Sequence, residues 1–367
     1  MIYFLASFWI IIPLLSVGFK WYKNISGESE FSYFFRNSAL SKYRTLILAY
    51  EPSKDLKVLK STKPNYSNIS YLENGIETIV LVIGESARRQ NMSLYSYPRI
   101  TTPNQDAEIQ NMKNYNNMIS SAGITLLSVP LLLSSAAPQE FVENKISISD
   151  NIMNLSSHLG YRTYWLSTQE QGSHYVSAVS NLASLSDSSR WFIGYDEVLI
   201  EPVKGIVNNL KTHKQLIILH INGSHSNACD KFPAEMNYFE DGNEAIDCYD
   251  NSVMYTDRIL GYLFDFFRNK NSAIIYLADH GEKFINNKYI HADHKEATTI
   301  PYYIWYGNAV SESMKDVRSI DDLFSLEVNY YEIAKLLGVN NLHYANPNPI
   351  QFLKSNLEVI DYQNLEE

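Results

Sequence analysis

Continuous apolar runs, rather than alternating ones, are the strongest pattern along this chain. Three of them, at residues 78–83, 216–221 and 273–278, are rich in aliphatic side chains, and each is followed by polar residues. Such runs are typical of strands in parallel sheets, because helices cover both faces of those strands. Residues 163–166 and 302–306 are shorter candidates. The pattern therefore predicts a buried sheet built from these segments.

Helical patterns lie between the predicted strands, at residues 150–159 and 249–267. Strands that alternate with helices indicate an α/β fold with a parallel sheet. In such sheets the reacting groups collect just beyond the carboxyl ends of the strands. We place this domain at residues 76–355, followed by a C-terminal tail at residues 356–367.

The amino terminus is a different kind of segment. Residues 1–19 carry no charge and are dominated by apolar side chains. A helix needs about 20 apolar residues to span a bilayer, so we predict a transmembrane helix at residues 1–20. A cleaved signal peptide is the alternative. Against it, no Lys or Arg precedes the apolar run, and no small-x-small cleavage site follows it.

The next segment, residues 21–75, mixes aromatic and charged side chains before a polar connector. It predicts an amphipathic helix at the membrane surface followed by a linker, with an ordinary connecting helix as the alternative. Lys20 and Lys23 follow the apolar run. By the positive-inside rule, these two lysines would keep the rest of the chain cytoplasmic.

Charge and cysteine content narrow the function. The net charge of −10 over 367 residues argues against nucleic-acid binding, which needs clustered Lys and Arg. Cys229 and Cys248 are the only cysteines. Two cysteines exclude a disulfide scaffold and a zinc site built from thiolates. A single bridge between them can form if the chain faces an oxidising compartment.

Polar residues suited to a metal and a phosphate follow the three strongest strands. Glu85 follows the first, His225 lies just after the second, and Asp279 and His280 follow the third, with His291 on the next loop. Taken singly, each has an ordinary explanation as a cap, a turn residue or a structural histidine. Their placement at one edge of one predicted sheet favours a zinc site instead, because carboxylate oxygen and imidazole nitrogen are zinc ligands.

The candidate nucleophile is Thr125. It follows a small, glycine-containing loop at residues 120–124 and precedes an apolar helix start. A helix start directs backbone N–H groups toward an anion. A free threonine hydroxyl is too weakly acidic to attack phosphorus at neutral pH, whereas coordination to zinc stabilises the alkoxide. For this segment taken alone, a simple helix cap is the alternative.

The order of these motifs resembles that of the phosphoethanolamine transferases of Gram-negative bacteria, within the alkaline phosphatase and sulfatase superfamily. The resemblance covers about residues 76–310. The matching segments are VIGESAR (82–88), NMSLYSYPR (91–99), TTPN (101–104), SSAGITLLSVP (120–130), GYRTYW (160–165), LHINGSH (219–225), YDN and YTD within 249–257, DHGE (279–282), His291 and Ile300-Pro301. It implies a three-layer alkaline phosphatase-like sandwich with a mostly parallel central sheet.

The resemblance also implies roles for the metal-site residues. Glu85, Thr125, Asp279 and His280 would hold one catalytic zinc ion, and Thr125 would become phosphorylated. His225 and His291 would contact the phosphoryl group or a second metal ion. The cofactor expected is therefore zinc, with one well-defined site and room for a second.

The implied reaction has two halves. Thr125 attacks the phosphorus of phosphatidylethanolamine and diacylglycerol leaves; an acceptor on lipopolysaccharide, lipooligosaccharide or another envelope glycan then takes the phosphoethanolamine group. His225 and His291 would bind the phosphoryl group, one of them acting as general acid, and Asn91 would help to bind substrate. The expected location is the bacterial inner membrane, with the catalytic domain in the periplasm.

The chain departs from lipid A-modifying members in two places. Those members carry cysteines around the nucleophile loop where Ala122 and Leu131 stand here, and their substrate loop differs from residues 167–174. Both differences favour core sugars or other glycans over lipid A. Full-length relatives have several membrane helices, so residues 1–19 would match the last of them. We therefore expect a truncated or split gene product, or a variant with a single membrane helix. Lys20 and Lys23 favour a cytoplasmic domain, whereas the resemblance implies a periplasmic one; missing upstream helices, which would normally fix the orientation, would explain this conflict.

Rival functions stay open on the sequence alone. A phosphoglycerol transferase or phosphodiesterase on the same fold would keep Thr125 and the same zinc ligands. A sulfatase requires a Cys or Ser that is oxidised to formylglycine, which Thr cannot supply. A fragment that lacks its lipid-facing helices could bind zinc and catalyse nothing, although every expected catalytic residue is present.

Overall fold

The computed structural model describes residue 59 and residues 61–73, 75–169, 177–209, 214–240 and 242–367. The chain from Leu56 to Glu367 forms one compact unit. The transmembrane helix predicted at residues 1–20 and the surface helix predicted after it lie outside the described residues. Within the described ranges, no helix combines the length and the apolar character needed to cross a bilayer.

Thirteen strands are found in the described ranges. They are β1 (Thr78–Gly84), β2 (Met112–Ile119), β3 (Arg162–Ser167), β4 (Ser188–Trp191), β5 (Gln215–His220), β6 (Ser272–Ala278), β7 (Lys283–Ile285), β8 (Lys288–Ile290), β9 (Thr299–Ile300), β10 (Tyr302–Tyr306), β11 (Arg318–Ser325), β12 (Gln351–Leu353) and β13 (Val359–Asp361).

The α-helices of the same ranges connect and cover these strands. They are α1 (Pro103–Ala107), α2 (Thr125–Leu133), α3 (Pro138–Glu143), α4 (Ile152–His158), α5 (Ser177–Ala183), α6 (Ile200–Asn208), α7 (Glu244–Phe267), α8 (Lys295–Thr298) and α9 (Val328–Leu336).

One 9-stranded sheet forms the centre of the described structure, in the order β11-β2-β10-β6-β1-β5-β3-β4 with β9 paired to β2. Strands β6, β1, β5, β3 and β4 run parallel to one another. Strand β10 is antiparallel to both β6 and β2, whereas β11 is parallel to β2. The predicted α/β fold with a mostly parallel sheet is therefore confirmed.

The central strand β1 is buried on both faces, as its unbroken apolar sequence predicted. Ile79, Leu81 and Ile83 belong to one core, which includes residues of α2, α4 and α9. Val80 and Val82 belong to a second core, which includes residues of α6 and α7. Because successive side chains of a strand point to opposite faces, helices cover both sides of the sheet and the fold has three layers.

All five strand segments predicted from apolar runs form strands, namely β1, β3, β5, β6 and β10. The two predicted helices correspond to α4 and α7. Helix α7 begins earlier than predicted, at Glu244, because Asn243 caps it by accepting a hydrogen bond from the N–H of Ala245 at 3.0 Å. Strand β10 is an exception within the mostly parallel sheet, because it runs antiparallel to both of its neighbours. A hairpin and the four-residue α8, instead of a crossover helix, connect it to β6.

Strand β2 escaped prediction because its sequence, MKNYNNMI, is polar although its position in the sheet is buried. Lys113 is nearly buried and pairs with Glu332 at 2.8 Å and with Asp316 at 2.9 Å. Asn114 accepts a hydrogen bond of 2.8 Å from the hydroxyl of Tyr95. These partners are distant in sequence, so no local pattern reveals that the polar groups are satisfied.

Cys229 and Cys248 are joined by a disulfide. The bridge therefore forms, as the sequence allowed for an oxidising compartment. It ties the loop after β5 to the first turns of α7.

Replacing both cysteines with serine tests the stabilising effect of this bridge. The bonded cysteines are 19 residues apart, and closing a loop of roughly this size stabilises a fold by about 3 kcal/mol, mainly by restricting the unfolded chain. We expect urea unfolding at constant pH to show a loss of about that size. Wild-type protein unfolded under a reducing agent serves as the control and should match the double variant. Equal stability of the oxidised wild type and the double variant would contradict the prediction.

Candidate active site

The predicted site residues lie at one edge of the sheet, where the neighbouring parallel strands β6, β1, β5 and β3 end. Glu85 directly follows β1, and Asp279 and His280 directly follow β6. His225 lies in the loop after β5, and Thr125 is the first residue of α2. Side chains from four separate parts of the sequence are thus brought to one place.

Thr125 is in direct contact with the buried acidic and imidazole groups. Its Oγ1 lies 3.0 Å from each carboxylate oxygen of Glu85 and 3.2 Å from Nε2 of His280. The same Nε2 is 3.2 Å from Oε1 of Glu85 and 3.5 Å from Oδ2 of Asp279. Glu85, Asp279 and His280 are buried, whereas Thr125 is only partly so. The threonine therefore occupies the more accessible side of the cluster.

The imidazole of His280 has a defined orientation. Its Nδ1 lies 2.8 Å from the backbone oxygen of Gly281, which can only accept a hydrogen bond, so Nδ1 carries a proton. Nε2 therefore faces the oxygens of Glu85 and Asp279. A histidine whose far nitrogen donates to a carbonyl while the near one points at carboxylates has the arrangement of a metal ligand.

Close packing of these groups shifts each of their pKa values. Burial favours a neutral Glu85, but the hydrogen bond and charge of His280 outweigh it and hold the pKa of Glu85 below its usual range. Burial, followed by the charge of Glu85, raises the pKa of Asp279 to about 7. Burial disfavours a charged His280, yet Asp279 and Glu85 together raise its pKa to about 10. The charged forms of the two carboxylates are therefore stabilised by a positive charge placed between them.

The donor set fits a zinc ion. One ligand atom each from Glu85, His280 and His291 lie within 4.8 Å of one another. Oδ2 of Asp279 is buried and has no hydrogen-bond partner in the described structure, whereas Oδ1 accepts from the N–H groups of Ser86 (3.2 Å) and His280 (2.8 Å). A buried carboxylate oxygen without a partner is costly unless a cation binds it. Oxygen and imidazole ligands around one point are those of zinc.

Two further histidines extend the cluster toward solvent. The ring of His291 packs edge-on beside His280, with centroids 4.6 Å apart, and His225 packs beside His291 at 5.8 Å. The side chain of His291 is 35% exposed. Burial, and then the charge of His280, lower the pKa of His291 to about 4, so this imidazole is neutral at pH 7. Both histidines predicted to meet the phosphoryl group therefore adjoin the buried ligands.

Glu282 is a site residue to which the sequence assigned no role, although it belongs to the DHGE motif. Its carboxylate is buried, and neither oxygen has a hydrogen-bond partner in the described structure. Oε1 lies 3.5 Å from Nε2 of His291, and burial raises the pKa of Glu282 to about 7. Its position just beyond β6 was the available signal, because that strand end already carried two site residues.

Asn91 makes its side-chain hydrogen bonds to residues other than the predicted site residues in the described structure. Its Nδ2 donates to Oδ1 of Asp250 at 2.8 Å and lies 3.4 Å from the hydroxyl of Tyr289. Tyr97 and Arg99 each bind Oδ2 of the same aspartate at 2.9 Å. Asn91 is therefore held within a buried polar network in the described structure, and its role in substrate binding stays a prediction.

The turn that carries Glu85 depends on a close approach of backbone. Gly223 has a left-handed φ of +52°, and a Cβ placed there would lie 2.8 Å from the backbone nitrogen and 2.9 Å from the backbone oxygen of Glu85. On the opposite side, Tyr249 donates to the carbonyl of Ser86 at 2.6 Å and accepts from the N–H of Arg88 at 2.9 Å. The carboxylate is thus positioned by contacts from two neighbouring segments.

Comparison with known proteins places the chain in a family. The sequence profile described as Sulfatase matches residues 77–327, which include every predicted site residue. The chain belongs to the sulfatase family. Relatives of the chain that are named phosphoethanolamine transferase confirm the resemblance that its motifs predicted. This sulfatase-family chain is 29% identical to phosphoethanolamine transferase EptC of Escherichia coli K12 over 301 residues, which cover 72% of the chain and 50% of EptC.

Another relative, the protein YhbX of Escherichia coli K12, is 31% identical over 364 residues, covering 93% of this chain and 66% of YhbX. The sulfatase-family chain thus spans about half to two thirds of the length of these curated relatives. Among solved structures, the C-terminal periplasmic domain of Escherichia coli EptC superposes with a TM-score of 0.70 at 23% identity. That alignment covers 83% of this chain and 98% of the EptC domain.

An alkaline phosphatase superfamily protein from Vibrio parahaemolyticus has a TM-score of 0.57 at 18% identity, with coverage of 78% and 75% of the two chains. At these identities the structural similarities establish the fold of this sulfatase-family domain, which is alkaline phosphatase-like.

Gly223→Ala tests the backbone contact with Glu85. The new Cβ would meet backbone atoms that have no flexible side chain to move, so we expect Glu85 to shift and zinc affinity to fall. Gly160→Ala is the matched control, because Gly160 also has a positive φ, +80°, but has nothing within 4 Å of the added Cβ. Both variants should lose about 1–2 kcal/mol of stability through left-handed strain.

Zinc titration calorimetry and urea unfolding separate the two effects. Only the Gly223 variant should bind zinc more weakly. Wild-type zinc affinity in Gly223→Ala, or an equal loss in Gly160→Ala, would contradict the proposed contact.

Proposed function

We propose that this protein is a zinc-dependent phosphoethanolamine transferase that uses Thr125 as its nucleophile. The single observation that carries the proposal is the placement of the Thr125 hydroxyl within 3.0 Å of both oxygens of Glu85 and 3.2 Å from His280. A hydroxyl so placed against an ionised carboxylate and an imidazole is activated by any cation that they share. The relatives named phosphoethanolamine transferase support the reaction class.

Zinc is the cofactor that suits these side chains. Glu85, Asp279, His280 and Thr125 would hold it, since together they offer three oxygens and one correctly oriented imidazole nitrogen. Bound zinc supplies Lewis-acid stabilisation of an alkoxide and of phosphoryl oxygens. A structure of the EptC periplasmic domain in complex with zinc, with a TM-score of 0.68 at 23% identity and coverage of 83% of this chain and 98% of that domain, supports this choice of metal. We propose one zinc ion at these four residues, with room for a second beside His291.

In the first half-reaction, Oγ1 of Thr125 loses its proton to solvent and attacks the phosphorus of phosphatidylethanolamine as an alkoxide. A bond forms between that oxygen and phosphorus, and the bond from phosphorus to the diacylglycerol oxygen breaks. The departing oxygen takes a proton from His225, while the neutral imidazole of His291 beside it binds a phosphoryl oxygen. The first turn of α2, which begins at Thr125, directs backbone N–H groups toward the phosphoryl oxygens.

In the second half-reaction the histidine that donated a proton acts as a base. An acceptor hydroxyl or phosphate loses its proton to the same histidine and attacks phosphorus, and the bond to Thr125 breaks. The proposed acceptor is a lipopolysaccharide or lipooligosaccharide core sugar, lipid A or another envelope glycan. The disulfide between Cys229 and Cys248 supports an oxidising compartment such as the periplasm, beside the inner membrane that holds the lipid donor.

Intact-mass analysis tests the covalent step. Full-length protein loaded with zinc is incubated with vesicles of phosphatidylethanolamine, and we expect a phosphoethanolamine adduct on the wild type. Thr125→Ala should show no adduct because the attacking oxygen is gone, whereas Thr125→Ser keeps a hydroxyl and should keep some labelling. Absence of an adduct on the wild type, or its persistence in Thr125→Ala, would overturn the mechanism.

The lipid donor is tested separately with labelled phosphatidylethanolamine and labelled phosphatidylglycerol. We expect transfer of label to Thr125 from the first lipid only. Glu85→Gln, which preserves shape but removes the ligand charge, should reduce labelling by about 100-fold or more, in the range seen when an electrostatic contact to the reacting group is lost. Labelling from phosphatidylglycerol alone would instead identify the protein as a phosphoglycerol transferase and contradict the proposed donor.

A further inference from the structure

The side chain of Gln169 contacts Glu85 from the loop after β3. Its Nε2 donates to Oε2 of Glu85 at 3.1 Å and to the backbone oxygen of Ile221 at 2.9 Å. Both partners are acceptors, so the amide nitrogen, not its oxygen, must face them. The two N–H bonds of one amide therefore join the loop after β3 to the ends of β1 and β5, the next strands across the sheet.

The backbone around Gln169 is fixed by contacts that do not involve its side chain. The hydroxyl of Thr168 donates to the buried carboxylate of Asp196, which also accepts the N–H groups of Asn222 at 2.9 Å and Gly223 at 3.0 Å. Nδ2 of Asn222 donates to the carbonyl of Thr168 at 3.0 Å. The loop is thus anchored by the hydroxyl of Thr168 on Asp196, which the backbone N–H groups of residues 222 and 223 hold in turn. This anchor remains when the side chain of Asn222 is shortened, because it uses only the backbone of that residue.

The other side of the Glu85 carboxylate has its own partners. Oε1 accepts a hydrogen bond from the hydroxyl of Ser86 at 3.0 Å and faces Nε2 of His280 at 3.2 Å. Only Gln169 approaches Oε2 from outside the cluster of predicted ligands and nucleophile in the described structure. Its amide therefore helps to fix the rotation of the carboxylate plane about its last torsion angle, which is otherwise broad and soft.

We propose that Gln169 is a positioning residue that fixes the carboxylate of Glu85 for zinc and for Thr125. The inference rests on the proposed function, because it assigns Glu85 to the metal. One oxygen is occupied by the amide, and the other is directed toward His280. Outer partners of this kind orient metal ligands, and their loss typically weakens metal binding by about 10- to 100-fold.

The test uses full-length protein and measures the zinc dissociation constant by competition with a chromophoric chelator. Gln169→Met keeps the length and bulk of the side chain but has no N–H donor. We expect it to bind zinc about 10- to 100-fold more weakly than the wild type. Gln169→Ala serves as a second variant, and the melting temperature of the zinc-free proteins should stay near that of the wild type.

Asn222→Ala is the matched control. It removes a hydrogen bond from the same loop but leaves Gln169 intact, so it should bind zinc as the wild type does. Cobalt(II) spectra give an independent readout, since they should change in the Gln169 variants and not in Asn222→Ala.

The outcomes separate this inference from the proposed function. If the wild type binds no zinc, both are overturned. If the wild type binds zinc and the Gln169 variants bind it equally well, only the inference fails. Equal weakening in Asn222→Ala and Gln169→Met would also overturn it, because the effect would then belong to the loop as a whole.

Discussion

The site depends on the convergence of two buried carboxylates on one imidazole. Glu85 and Asp279 both face Nε2 of His280, and an oxygen of Asp279 has no other partner in the described structure. Two buried carboxylates that face the same atom are tolerated only when a cation is shared between them. The same demand that would destabilise an ordinary core favours a metal ion at this point, and the hydroxyl of Thr125 lies against the carboxylate of Glu85.

The remainder of the fold serves to hold these groups together. The parallel strands β1, β5 and β6 bring their carboxyl ends to one edge, where each chain segment turns into a loop. Close backbone contact at Gly223 and the amide of Gln169 then set the position and rotation of Glu85. Because the ligands come from segments far apart in sequence, the site exists only when the sheet is complete. We therefore expect metal affinity to report on the integrity of the fold as well as on the ligands.

Much of the fold could be predicted because the central strands are buried on both faces and so appear as continuous apolar runs. The strands with polar sequences could not, since Lys113 and Asn114 of β2 find their partners in distant segments. The same limit applies to the site. Glu85, Asp279 and His280 each stand directly after a recognisable strand, whereas Gln169 gains its importance only from its distance to Glu85.

The sequence by itself determined the five apolar strands, the residues that suit a metal, and the hydroxyl that could attack phosphorus, because strand ends and ligand types are local properties. Only the tertiary structure decided the antiparallel direction of β10, the orientation of His280, and the burial of Glu282 beside His291. It also gave the side chain of Asn91 a buried partner in Asp250. These features arise from contacts between distant segments, which local sequence patterns do not encode.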